Sequence, residues 1–128
     1  MLFRSWARAY ARQHQRPIVL ISAGQFPDES FISPEDEASC CYLAMRLGLP
    51  VAMDSTDIYA RWEREIILHG LEAIFRQSRH AQRLMEIGYS EDVIFCTRAD
   101  SLSMLPLVEN PVLLGDRQIG VRVRNSGA

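Results

Sequence analysis

No stretch of the sequence approaches the roughly 20 consecutive apolar residues that a bilayer-spanning helix needs, and arginines interrupt the amino terminus before a secretory apolar segment could form. The chain reads as neither membrane-spanning nor secreted. An even set of cysteines is also missing. Cys40, Cys41 and Cys96 number three, and the adjacent pair is poorly placed to bridge to itself. A disulfide framework is therefore not expected, and a reducing, cytoplasmic setting is. The cysteines and His14, His69 and His80 show no C-x-x-C or H-x-x-x-H spacing of a zinc site, and no serine or cysteine stands in a recognisable nucleophile motif. Positive charge is not in excess either: 14 basic against 16 acidic side chains leave a net charge of −2. Nothing global would draw nucleic acid or an acidic membrane to this chain.

What is present is ordinary globular material, 48% hydrophobic and 23% charged over 128 residues, enough for a single domain over residues 1–128 with a tail from about 124 expected to be flexible. Phe3, Trp6, Ala7, Tyr10 and Ala11 recur at helical spacing, which predicts an amphipathic helix from Leu2 to Gln15 that stops ahead of Pro17. Ile18 to Ile21 is a continuous apolar run, the pattern of a strand buried on both faces. Ser33, Pro34, Glu35 and Asp36 spell a helix start, with Ser33 as N-cap and proline at the first helical position, and Gly48 followed by Pro50 spells its end. A long helix follows from Asp54 or Ser55 through Trp62, Ile66 and Phe75, with Glu72 and Arg76 paired one turn apart. Shorter helices are expected from Ser78 to Ile87 and from Ser90, and the tail from Leu105 to Val123 reads as strands separated by Asn110-Pro111 and Gly115-Asp116.

Four groups could carry chemistry. Glu35, Asp36 and Glu37 open a helix just after a loop that leaves a strand, where ligands bind in open α/β sheets, and carboxylates there suit Mg²⁺. Acids in a first turn also simply oppose the helix dipole, and spacing does not separate the two roles. Arg4, Arg8, Arg12 and Arg16 form a stripe one turn apart, either a phosphate contact or a solvated face. The cysteines fit small core hydrophobes. Gly24 fits a phosphate-approaching turn or plain loop geometry.

Two ordered segments resemble the 2-phosphosulfolactate phosphatase family. The stretch from Ile18 to Gly24, followed by Ser33 to Cys40, is similar to that family's apolar strand, Ala-Gly turn and Ser-x-Glu-Asp-x-x-Cys helix start. The stretch from Ser78 to Val93 resembles its Ser-x-His-x-x-x-Leu and Gly-aromatic-x-Glu-Asp segment, and Leu105 to Val108 falls where the family has a Val-Pro-Val-Leu strand. The resemblance implies the carboxyl-terminal half of a three-layer α/β fold with a mainly parallel sheet flanked by helices. It implies a Mg²⁺-dependent phosphate monoester hydrolase acting on a small phosphorylated acid, with Glu35 and Asp36 as catalytic and metal-binding residues, Gly24 and Ser33 on the substrate, and Glu91 and Asp92 as second-choice metal ligands. Relatives carry a further Asp-x-x-Arg-Ala-Thr segment in their first half, and the loop from Gln25 to Ile32 bears Pro27, Asp28 and Glu29 where they often have glycine and arginine. A homo-oligomer or a partner chain completing the site is therefore expected, with no nucleic-acid or membrane partner. The alternative is a non-catalytic interaction domain that keeps the scaffold and oligomerises.

Overall fold

The computed structural model describes residues 2–23, 33–114 and 117–125. Five α-helices are followed by a hairpin: α1 (Leu2–His14), α2 (Pro34–Leu47), α3 (Thr56–Gln77), α4 (Arg79–Glu86), α5 (Ser90–Cys96), β1 (Pro106–Leu114) and β2 (Arg117–Asn125). The local signals explain the helix limits. Ser33 is extended ahead of Pro34, and its carbonyl accepts from the Asp36 and Glu37 amides, so the prolyl nitrogen occupies a position that needs no donor. Gly48 closes α2 in the left-handed conformation at φ 61°, which only glycine adopts at little cost. Ser78 caps α4 by accepting from the Ala81 amide at 3.0 Å.

The core sits between α2 and α3. Ala38 and Cys41 meet Trp62, Ile66 and Ile74, with Tyr42, Met45, Tyr59 and Leu71 packed at the margin. The two helices run antiparallel, since Glu37 reaches Arg61 and Trp62 while Cys41 reaches Tyr59. Helix α1 leans on the end of α2, where the Arg8 guanidinium donates to the Leu47 carbonyl at 3.1 Å and supplies a partner that the last turn of a helix lacks. Helix α3 is broken at Gly70, whose φ of 76° and ψ of 163° are non-helical. Helices α4 and α5 then fold back against it.

The expected three-layer α/β architecture is not observed. A mainly parallel sheet is absent from the described residues, where the sheet is a two-stranded antiparallel hairpin of β1 and β2. Ile18 to Ile21 is in no strand, and Val19 and Ile21 are 72% and 84% exposed. The physical reason is that a strand requires a neighbour. The other strand-forming residues lie close together in the tail, and closing a short loop costs less entropy than a long-range pairing. The strands of the tail run unbroken across Asn110-Pro111, with an irregularity between Val108 and Pro111, while Gly115-Asp116 lies outside the described residues.

Candidate functional site

The first turn of α2 carries three carboxylates, and their surroundings differ. Glu37 is committed: one oxygen accepts from the Trp62 indole N–H and from the Arg61 guanidinium, both at 2.7 Å, while Arg61 also lies over the Trp62 ring at 4.8 Å. Asp36 is half-buried and has a partner of its own. Glu35 is 9% exposed, and its Oε2 is shielded from solvent without a hydrogen-bond partner among the described residues. A buried carboxylate oxygen left unbonded is costly, and such atoms in a folded chain call for an explanation. Ser33, two residues earlier, is buried, and its hydroxyl does not cap α2. Gly24 and the loop from Gln25 to Ile32 lie outside the described residues.

The second-choice acids stand elsewhere. Glu91 and Asp92 are exposed in the first turn of α5, which packs on α3 and α4 and has no contact with α2. Among the described residues no three His, Cys, Asp or Glu side chains converge on a point that could hold a metal ion.

The Cys40 and Cys41 thiols are unsuited to nucleophilic work. Burial pushes the Cys40 thiol up, helped by the charges of Asp36 and Glu37. Burial likewise pushes Cys41 up to about 11, with Glu63 and Cys40 adding to it, and its Sγ donates to the Tyr59 carbonyl at 3.5 Å. Both stay protonated at neutral pH, and the thiolate is the reactive form. Cys41 is buried, as a small core hydrophobe is, whereas Cys40 is half-buried and Cys96 is exposed. On the arginine stripe, Arg8 serves the end of α2, and Arg16 lines a cleft.

That cleft, of about 750 Å³, lies between residues 16–22 after α1, one face of α2 and the start of α3. Its wall is mainly apolar, with Arg16, Glu37 and Asp54 as its charged lining residues. Glu35 and Asp36 do not line it. In the sequence Glu37 is indistinguishable from its two neighbours. Its different role depends on partners 24 and 25 residues away, for which spacing gives no signal.

The family model described as 2-phosphosulpholactate phosphatase matches residues 3–111. The chain belongs to that family. Two curated members resemble it at low identity, both described as a probable 2-phosphosulfolactate phosphatase. The one from Microcystis aeruginosa is 29% identical over 70 residues, which cover 55% of this chain and 27% of that one. The one from Picosynechococcus is 25% identical over 69 residues, covering 54% and 26%. The chain thus matches about a quarter of the length of these family members. No solved structure matches it.

Proposed function

We propose that the first turn of α2 contributes a cation-binding edge to a phosphate monoester hydrolase of the 2-phosphosulfolactate type. The observation that carries this reading is Glu35 Oε2, buried at a helix start and unbonded among the described residues. Helix starts attract anions, but three acids in the first turn oppose the dipole and repel a phosphorylated acid. An anionic substrate can approach only if a cation intervenes. Mg²⁺ suits the donors: it prefers oxygen, takes one or two carboxylates, and completes its shell with water and substrate phosphate. The lack of a third protein ligand among the described residues is compatible with that habit. Glu35 and Asp36 would hold the ion, with Glu37 bound to Arg61 and Trp62 and so fixing the turn. Ser33 and Gly24 would face the phosphate. When bound, the ion would neutralise charge on the phosphoryl oxygens.

The test pairs binding with turnover. Mg²⁺ at about 100 times its Kd should stabilise the wild-type chain by about 2.7 kcal/mol, read as a rise in melting temperature, and Glu35→Gln should abolish that rise. Hydrolysis of p-nitrophenyl phosphate or phosphosulfolactate should require Mg²⁺ and be lost in the same variant. No Mg²⁺-dependent stabilisation of the wild-type chain would sink the proposal.

A second reading, a non-catalytic domain that works by association, is supported by the exposure of Val19, Ile21, Met53, Ile67 and Leu68. Stabilisation by Mg²⁺ without turnover, together with self-association, would favour it.

A further inference from the structure

Three acids open α2, yet among the described residues no three acidic, histidine or cysteine side chains meet at one point. Helical side chains tilt toward the amino terminus, so the carboxylates of a first turn lean over the same open end and, left alone, could close on one ion. For Glu37 the restraint is visible. Its Oε2 accepts from the Arg61 guanidinium and from the Trp62 indole N–H, both at 2.7 Å. Both donors stand on α3, and both are fixed: Trp62 is buried in the core against α2, and the guanidinium lies over its ring at 4.8 Å. Arg61 itself is half-exposed. Its contacts are with one carboxylate and one ring, and a hydrogen bond between two ionised groups is about twice as strong as a neutral one.

How many carboxylates a site offers decides which cation it suits. Mg²⁺ is small, keeps several waters and is held by about one or two carboxylates, whereas Ca²⁺ gathers about six to eight oxygens in a flexible shell and binds more tightly as charged ligands are added. A first turn that offers Glu35 and Asp36 while Glu37 is engaged elsewhere suits the smaller ion. Adding a third carboxylate favours the larger one.

We infer that Arg61, together with Trp62, withholds Glu37 from the cation at the first turn of α2 and so sets the preference of that turn for Mg²⁺ over Ca²⁺. Arg61 is a positioning residue that acts through Glu37 and touches no ion. The inference rests on the cation reading given above and adds to it the residue that fixes the number of ligands. Removing a positive charge beside the turn strengthens its attraction for either divalent ion about equally. The ratio of the two affinities therefore isolates the third carboxylate.

Titrations with Mg²⁺ and with Ca²⁺, each followed by the rise in melting temperature, give a Kd for either ion. Arg61→Gln should raise the affinity for Ca²⁺ relative to Mg²⁺ by about tenfold. Arg61→Lys keeps the charge and should stay near the wild-type ratio. Trp62→Phe keeps an aromatic ring in the core, removes the other donor and should shift the ratio in the same direction, which guards against misfolding of the first variant. Adding Glu37→Gln to Arg61→Gln should return the ratio to its wild-type value. An unchanged ratio in Arg61→Gln and Trp62→Phe, in a chain that still binds Mg²⁺, would overturn this inference and leave the cation reading standing. A raised ratio that Glu37→Gln does not reverse would overturn it as well, because the effect would not pass through Glu37. A wild-type chain that binds neither ion would end both readings together.

Discussion

Glu37 keeps its carboxylate between two donors, whereas Glu35, two residues earlier, holds one oxygen shielded and, among the described residues, unbonded. The two therefore respond oppositely to neutralisation. Replacing Glu37 with alanine orphans the buried Trp62 indole N–H and should cost about 1–3 kcal/mol, measured by urea unfolding. Replacing Glu35 with glutamine removes the charge from a carboxyl whose Oε2 has no hydrogen-bond partner among the described residues, and without Mg²⁺ it should leave the chain at least as stable as wild type by the same measurement. This division of labour was not legible in the sequence. Three successive acids after Ser33-Pro34 announce a helix start, and Arg61 and Trp62 become visible as partners only once α3 lies against α2.

At the scale of elements, α3 is the informative case. Its apolar spacing from Ile58 to Phe75 predicts one long helix, and the residues do follow helical periodicity, but Gly70 takes a conformation that side chains with a Cβ avoid. A Cβ there would meet no atom within 4 Å, so the cost of Gly70→Ala is confined to the backbone, about 1–3 kcal/mol. A fall of that size in the thermal unfolding free energy checks it. If the helix instead straightened, helical ellipticity would rise with no loss of stability. Helix limits were legible because they depend on nearby residues: Ser33-Pro34, Gly48 with Pro50, and Ser78. The sheet was not. Ile18 to Ile21 has the composition of a buried strand, but composition does not provide the neighbour on which a strand depends, and this stretch lies in no strand, with Val19 and Ile21 in solvent.

For the molecule as a whole, the thin core between α2 and α3 links stability to alkaline pH through Cys41. Its thiol is raised from the usual 9.0 to about 11, first by burial and then by Glu63 and Cys40, and Tyr59 is raised in the same direction by burial and by Glu63. The folded chain therefore holds the proton more tightly than the unfolded one. The Cys41 contribution is complete below pH 9 and is lost as pH rises to about 11, at no more than about 1.4 kcal/mol per pH unit. Chemical denaturation at successive pH values should show this decline, and Cys41→Ala should flatten it. The hairpin has a different fate. Since the backbones of β1 and β2 approach none of the helices among the described residues, their amides in an isolated chain can swap hydrogen for deuterium without waiting for the helical body to open, and the two parts of the molecule keep separate clocks.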